Sequence, residues 1–389
     1  MAFLDVHALQ VVPPANINRD DNGSPKTAVY GGARRLRVSS QAWKRATRKA
    51  LESEVAGAAV PISQRTKRLP EIVARELGER APGLGEHAAV IAEAAVRSVF
   101  EVKTAKKNGR TATDYLLFLG VDQRTRLVDA LLGAKDDLRA AAGNAKNLDK
   151  LLKDLGLRAT IATGHPPAVA MFGRMIATEP TLNVDAACQV AHAISTHEVE
   201  SEFDYYTAVD DADNDADETG AGMIGTIEFN AATMYRYATV DLRSLAENLG
   251  GDLGYAADMA VAFARSFLLS MPTGKRTSFA NNTRPDFALV SVRRDQPVSL
   301  AAAFEHPVFG GSSGHLAESV RRLVGHHANQ DAAYGTSPEF SAAVYPAWLA
   351  DGERVGTGTV SPLPAAHPLP EALTEARRQV ARLIGVADA

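Results

Sequence analysis

Between residues 16 and 49 the chain carries nine basic side chains, Arg19, Lys26, Arg34, Arg35, Arg37, Lys44, Arg45, Arg48 and Lys49, against two acids, Asp20 and Asp21. Gln41, Lys44 and Arg48 recur at helical spacing, so they share one face of a helix expected over 39–55, with Arg45 and Lys49 on the adjacent stripe. Ser39 or Ser40 can cap that helix, and Ala42, Trp43, Ala46, Ala50 and Leu51 supply its apolar side. Free N–H groups at a helix start favour an anion, so a phosphate chain could begin at Ser39-Ser40-Gln41 and follow the cations. The same spacing also suits a solvated basic helix, and spacing alone does not decide between the two.

Other segments carry weaker chemistry. Phe203, Tyr205 and Tyr206 lie on an alternating strand; Phe203 and Tyr205 read as a cross-strand packing face, while Tyr206 falls among carboxylates on the other side, free to stack on a base. In GKRTSF (274–279), Lys275 and Arg276 suit phosphate diesters, but the earlier Walker glycine is absent and Arg276 stands where Ser or Thr is required, against a nucleoside triphosphatase. Lys103, Lys106, Lys107 and Arg110 form a further basic cluster that could touch nucleic acid, though a solvated loop is the commoner explanation. Gly310–Gly314 fits G-x-S-x-G around Ser312, yet no strand of adequate length precedes it, and His315, His326 and His327 stand in the wrong relation for a hydrolase. The DADNDAD run resembles a calcium loop, but Ala216 replaces the turn glycine and Gly222 the closing Glu. Asp20-Asp21 could serve a metal-dependent ribonuclease but lacks a third ligand, and His192 and His197 suit capping or packing. No catalytic residue, metal site or cofactor emerges.

The elements that must position these residues follow from periodicity. Residues 2–12 read as a strand, 13–38 as an ordered loop or small hairpin, and 57–180 as an Ala- and Leu-rich helical region. The segment 183–195 reads as a helix, and 199–209 alternates strictly as a strand. MIGTIEF and TMYRYATVDL read as two further strands, 254–271 as an apolar helix and 285–294 as a strand, with helices near 316–325 and 371–384. With the helical insertion removed the order is β-α-β-β-α-β, shared by ferredoxin-like and RNA-recognition folds. The expected fold class is therefore α+β.

Composition bounds the rest. The 389 residues, 46% hydrophobic and 23% charged, exclude disorder and fibrous architecture. One cysteine, Cys188, rules out an internal disulfide framework and fits a reducing, cytoplasmic setting; no membrane span is expected. The net charge of -4 hides its distribution: residues 198–218 hold ten acids and no base, leaving 42 basic against 36 acidic residues elsewhere, a balance of +6. The acidity belongs largely to one segment, so it does not argue against nucleic acid.

Several long motifs in order resemble one family. HALQVVPPANINRDDNGSPKTAVYGGARRLRVSSQAWKRATR, QVAHAISTHEVESEFDYYTAVDD, GTIEFNAATMYRYATVDLRSLAENLGG and GKRTSFANNTRPDFALV are similar to the Cas7 family of type I-E CRISPR systems, also called CasC or Cse4. The resemblance implies a hand: a modified RRM-like (ferredoxin-like) palm formed by 1–56, a palm helix over 181–196 and 227–389, a helical fingers domain over 57–180, and a β-hairpin thumb over 197–226. It implies a non-enzymatic backbone subunit of Cascade, several copies lining a CRISPR RNA and presenting it in short segments to target DNA. Its implied partners are other copies of itself, Cas5, Cas6, the small and large subunits and, indirectly, the Cas3 nuclease-helicase. Arg19, Lys26, Ser39, Gln41, Lys44 and Arg48 fall where the family holds guide phosphates, with Lys49 adjacent; Arg48 stands where a Lys is familiar. Tyr205 and Tyr206 match an aromatic pair at the thumb base, Tyr205 replacing the more usual Trp. Thr207, Val209 and Ile224 are hairpin positions that reach the RNA and its neighbour, and Met175 lies where the family packs against a displaced base.

Overall fold

The computed structural model describes residues 1–55, 62–107, 109–208, 223–311, 314–349 and 363–386; Val209, the acidic run 210–222 and Ser312 lie outside these. The chain opens with β1 (Phe3–Ala15), a hairpin of β2 (Thr27–Tyr30) and β3 (Ala33–Val38), and helix α1 (Ser40–Val55). Then come β4 (Ser63–Thr66), α2 (Leu69–Arg80), α3 (His87–Phe100), β5 (Thr104–Lys107), β6 (Arg110–Thr113) and β7 (Leu117–Gly120). Helices α4 (Val121–Gly133), α5 (Lys135–Ala141), α6 (Ala145–Asp154), α7 (Ala159–Ala162) and α8 (Pro167–Phe172) complete that stretch. The chain continues through β8 (Cys188–Val190), β9 (Ala193–Ser195), β10 (Glu202–Ala208), β11 (Met223–Asp241), α9 (Leu242–Asn248), α10 (Leu253–Leu269) and the one-turn α11 (Arg276–Phe279). β12 (Phe287–Arg293), α12 (Leu316–Tyr334), β13 (Phe340–Val344) and a last helix, Leu369–Ile384, close it.

These elements form two compact units. The first comprises Met1–Ala50, Gln189–Val240 and Ala260–Ala389. Its sheet runs β13-β12-β1-β11-β9-β3-β2, with β8 and β10 also paired to β11. β1 is buried at every position from Phe3 to Gln10, as a strand covered on both faces must be. Leu9, Tyr235, Phe287, Leu289, Phe304 and Leu323 pack one core of this unit. The β2–β3 hairpin closes with Tyr30 opposite Ala33, so Gly31-Gly32 is a two-residue turn with both φ positive, 58° and 77°, the geometry only glycine takes without strain. An added Cβ on Gly31 would overlap the Glu305 carbonyl, which accepts from Nη2 of the buried Arg35 at 3.2 Å.

The second unit, Leu51–Cys188 with Asp241–Met259, is mostly helical. Val73, Leu77, Ile91, Ala95, Leu127, Leu131, Leu148 and Leu152 form its core. It takes in 241–259, which the expected division assigns to the strand-rich body over 227–389.

Three expectations change. The helix expected over 183–195, and with it the palm helix over 181–196, is replaced by the short strands β8 and β9; Ile194 pairs with both Tyr235 and Arg37, and ladders on two sides override the local helical preference of an Ala-rich segment. MIGTIEF and TMYRYATVDL are one 19-residue strand, β11, running through Asn230-Ala231-Ala232. The helix expected near 316–325 continues to Tyr334, where Gly335 closes it at φ 62°. Among the described residues no helix is long and apolar enough to cross a membrane.

Candidate nucleic-acid interface

Helix α1 buries Trp43, Thr47, Leu51 and Val55, one stripe at four-residue spacing. That turns Gln41, Lys44, Arg45, Arg48 and Lys49 outward: Lys44 and Arg48 are half-buried, Gln41, Arg45 and Lys49 exposed. The helix has no acid before Glu52, and no described carboxylate pairs with Lys44, Arg45 or Lys49. The apolar face is narrower than the alanines suggested, because Ala42, Ala46 and Ala50 are only half-buried.

The start of α1 differs from expectation. Ser39 is buried; its N–H donates to Asn18 Oδ1 at 2.8 Å and its Oγ accepts the Ala42 N–H at 3.3 Å. The Ser40 N–H donates to His192 Nδ1 at 3.0 Å. These N–H groups are therefore capped from within and are not free for an anion. His192 is held below the usual imidazole range by desolvation and by Arg37 and Lys26, which keeps Nδ1 an acceptor. His197 acts similarly, Nε2 accepting the Thr233 N–H at 3.1 Å.

The segment 16–26 joins α1 to two other basic elements. Asn16 Nδ2 donates to the Gly23 carbonyl at 2.9 Å and to that of Glu228 at 2.8 Å. Asp20 Oδ1 accepts the Asn22 and Ser24 N–H groups, both at 2.9 Å; that oxygen holds a turn. Arg19 pairs across the turn with Pro25 and is exposed. The Lys26 N–H donates to the Asn18 carbonyl and the Lys26 carbonyl accepts from Arg37, setting Lys26 beside the cap of α1. Gly274 packs against the backbone of Asn16 and Ile17 so closely that a Cβ would lie 3.0 Å from the Asn16 oxygen. Lys275 follows in the left-handed region at φ 48°, half-buried, and Arg276 is exposed at the start of α11. Arg19, Lys26, the α1 cations and Lys275-Arg276 are thus brought around one loop.

The hairpin of β10 and β11 rises from the same place. Phe229, opposite Glu202 at its base, contacts Phe279 with ring centroids 5.9 Å apart, and Ser24 Oγ donates to Glu228 Oε1 at 2.9 Å. Register puts Tyr205 opposite Thr226, Tyr206 opposite Gly225 and Thr207 opposite Ile224. Phe203 and Tyr205 are 66% and 63% exposed, so the expected packing face is instead an open aromatic surface. In the second unit, Gly173 turns at φ 75° and buried Arg174 donates through Nε to the Leu182 carbonyl at 2.9 Å, an anchor that leaves Met175 79% exposed.

Sequence reasoning missed Asn16 and Asn18, which hold the site, and the exposure of Phe203; the capping expected of His192 is what the structure shows. The Asn-rich PPANINRDDN segment was the available signal for the first two. Lys106, Lys107 and Arg110 belong to the β5–β6 hairpin, and the Lys103 carbonyl just before it accepts the Asp114 N–H. No group of three His, Cys, Asp or Glu side chains suited to a metal occurs among the described residues.

A mixed α+β protein with an antiparallel sheet, a cationic helix face and an aromatic hairpin is the class these features define. The family model described as CT1975-like protein matches residues 4–359, and the chain belongs to that family, a Cas7-type one. Two solved chains share the fold. One, titled CRISPR RNA-guided surveillance complex, pre-nicking, has TM-score 0.80 and 31% identity, covering 98% of this chain and 100% of that one. Another, titled CRISPR RNA-guided surveillance complex, has TM-score 0.72 and 27% identity, covering 97% and 99%. No curated protein sequence matches.

Proposed function

We propose that this chain is a non-catalytic, CRISPR RNA-binding backbone subunit of a type I-E Cascade complex, repeated along the guide. The observation that carries the reading is the basic face of α1, Gln41, Lys44, Arg45, Arg48 and Lys49, which the 16–26 loop, carrying Arg19 and Lys26, links by its contacts at Asn18 and Ile17 to the segment of Lys275 and Arg276. Such a face neutralises phosphates without reading base edges, so it accepts any guide sequence. Ser39 contributes by capping the helix. The exposed Phe203, Tyr205 and Tyr206 offer stacking or wedging surfaces at the hairpin, and Met175 offers an apolar contact for a displaced base. Target DNA then reads the guide by Watson–Crick pairing. The partners in this reading are CRISPR RNA, target DNA, further copies of the chain, Cas5, Cas6, the small and large subunits and, indirectly, Cas3; the setting is cytoplasmic.

A second reading, a metal-dependent ribonuclease at Asp20-Asp21, would use an Asp20 whose Oδ1 already accepts two turn N–H groups. Charge reversal at Lys44 and Arg48 tests the reading: RNA affinity should fall steeply, with a shallower dependence on salt, by about 0.7 in slope for each single-strand phosphate no longer neutralised. Unchanged binding at moderate salt would remove the phosphate track. Incubating the complex with complementary RNA and magnesium should yield no periodic cuts.

A further inference from the structure

Directly beneath α1 lies a buried cation that does not touch the outer face. Arg236, on β11, is 1% exposed. Its guanidinium carbon sits 3.7 Å from the centroid of the Trp43 ring and 4.5 Å from that of Phe267. Nη1 donates to Gln10 Oε1 at 2.6 Å, Nη2 donates to the Phe267 carbonyl, and Nε has no partner. No described carboxylate pairs with it, unlike the buried Arg293, which is held by Asp295 and Asp331. Burial alone pulls Arg236 down, to about 9, so it remains charged at neutral pH. An uncompensated buried charge is costly, but this one also donates to two buried acceptors, which an apolar side chain would leave unpaired.

The contacts of Arg236 reach the elements that carry the cationic face. Trp43 lies on α1 between Gln41 and Lys44. Gln10 passes the contact on, its Nε2 donating to the Thr283 carbonyl at 2.9 Å and to Thr283 Oγ1 at 3.0 Å, in the segment that follows Lys275 and Arg276. β11 is itself one strand of the hairpin. A helix is about 10 Å wide and the guanidinium lies a ring contact below it, so a phosphate on the outer face of α1 would lie on the order of 15 Å from the guanidinium, with protein in between. We propose that Arg236 is a positioning residue and fixed positive charge of the RNA interface, its missing counter-ion being the phosphate backbone of the bound strand. This rests on the proposed RNA-binding reading. At that separation and an effective permittivity near 20, the attraction corresponds to about five-fold in Kd.

The test uses the full chain with a short synthetic single-stranded RNA, measuring Kd across salt and Tm with and without RNA, for Arg236→Met and Arg236→Lys. Arg236→Met should lower the RNA-free Tm, because it leaves the Gln10 and Phe267 acceptors unpaired, weaken binding several-fold, reduce the Tm gain on adding RNA, and preserve the salt slope because no phosphate contact is removed. Arg236→Lys should recover most of the affinity at about pH 6 and lose it as pH rises, because the same burial lowers a lysine too. Wild-type Kd in Arg236→Met, or equal losses in the Met and Lys variants at about pH 6, would overturn the proposal. If Arg236→Met does not fold, Arg236→Gln against Arg236→Lys decides on the same criterion. Failure of the underlying reading is distinct: there the Lys44 and Arg48 charge reversals would also leave RNA binding unchanged.

Discussion

The ring of Tyr206 lies across Gly225, its partner on the facing strand, so closely that a Cβ added to Gly225 would come within 2.7 Å of the ring carbon Cε1. Aromatic cover of a strand glycine pins register and fixes the ring. Here it holds Tyr206 to the hairpin, 38% exposed, while Phe203 and Tyr205 stand more open on the other face.

Gly225→Ala should therefore displace the Tyr206 ring. The stability change should be small, within about 0.5 kcal/mol, as at most exposed sites, because alanine is no worse than glycine in a strand. RNA affinity should fall several-fold. Paired Tm and binding measurements check this, and an affinity equal to wild type would show that the ring's placement does not matter for binding.

Lys275 separates backbone from side chain. At φ 48° it occupies a region that costs a side-chain-bearing residue about 1–2 kcal/mol. Lys275→Gly should raise Tm by relieving that strain and lower RNA affinity by removing a cation. A variant that is both more stable and a weaker RNA binder is the expected result; one that binds as wild type would remove Lys275 from the track.

The pH dependence of stability should carry two opposed contributions from β1. Burial pushes the Asp5 carboxyl up to about 6, although Tyr237 Oη donates to Oδ1 at 3.1 Å and the Val298 N–H to Oδ2 at 3.0 Å. The folded state thus holds this proton more tightly than the unfolded state does. Stability from Asp5 is full below about pH 4 and is lost as pH rises toward 6, by about 3 kcal/mol in all. Burial pulls His7 down to about 3, so its neutral form is favoured in the fold, and stability falls as pH drops below about 6.5. Between pH 4 and 6 the two offset one another. Asp5→Asn should steepen the loss of Tm on acidification from pH 6.5 to 4, and His7→Gln should flatten it. Identical slopes in wild type and both variants would contradict the assignment.

The sequence by itself determined what depends on short spacing. The 3.6-residue period of Trp43, Thr47 and Leu51 makes α1 and turns Lys44 and Arg48 outward wherever the helix packs. Gly31-Gly32 closes its hairpin, and 202–208 alternates as a strand, for equally local reasons. Tertiary structure alone decided the rest, because strand pairing and capping join residues far apart in the chain. The segment 183–195 has helical composition, yet Ile194 is fixed between Arg37 and Tyr235. Asn230-Ala231-Ala232 reads as a break, yet β11 passes through it with neighbours on both sides. His192 caps a helix 152 residues away, and Arg236 comes to rest under Trp43 only when β11 crosses beneath α1. Local pattern selects which side chains face out; the sheet decides which of them share a surface.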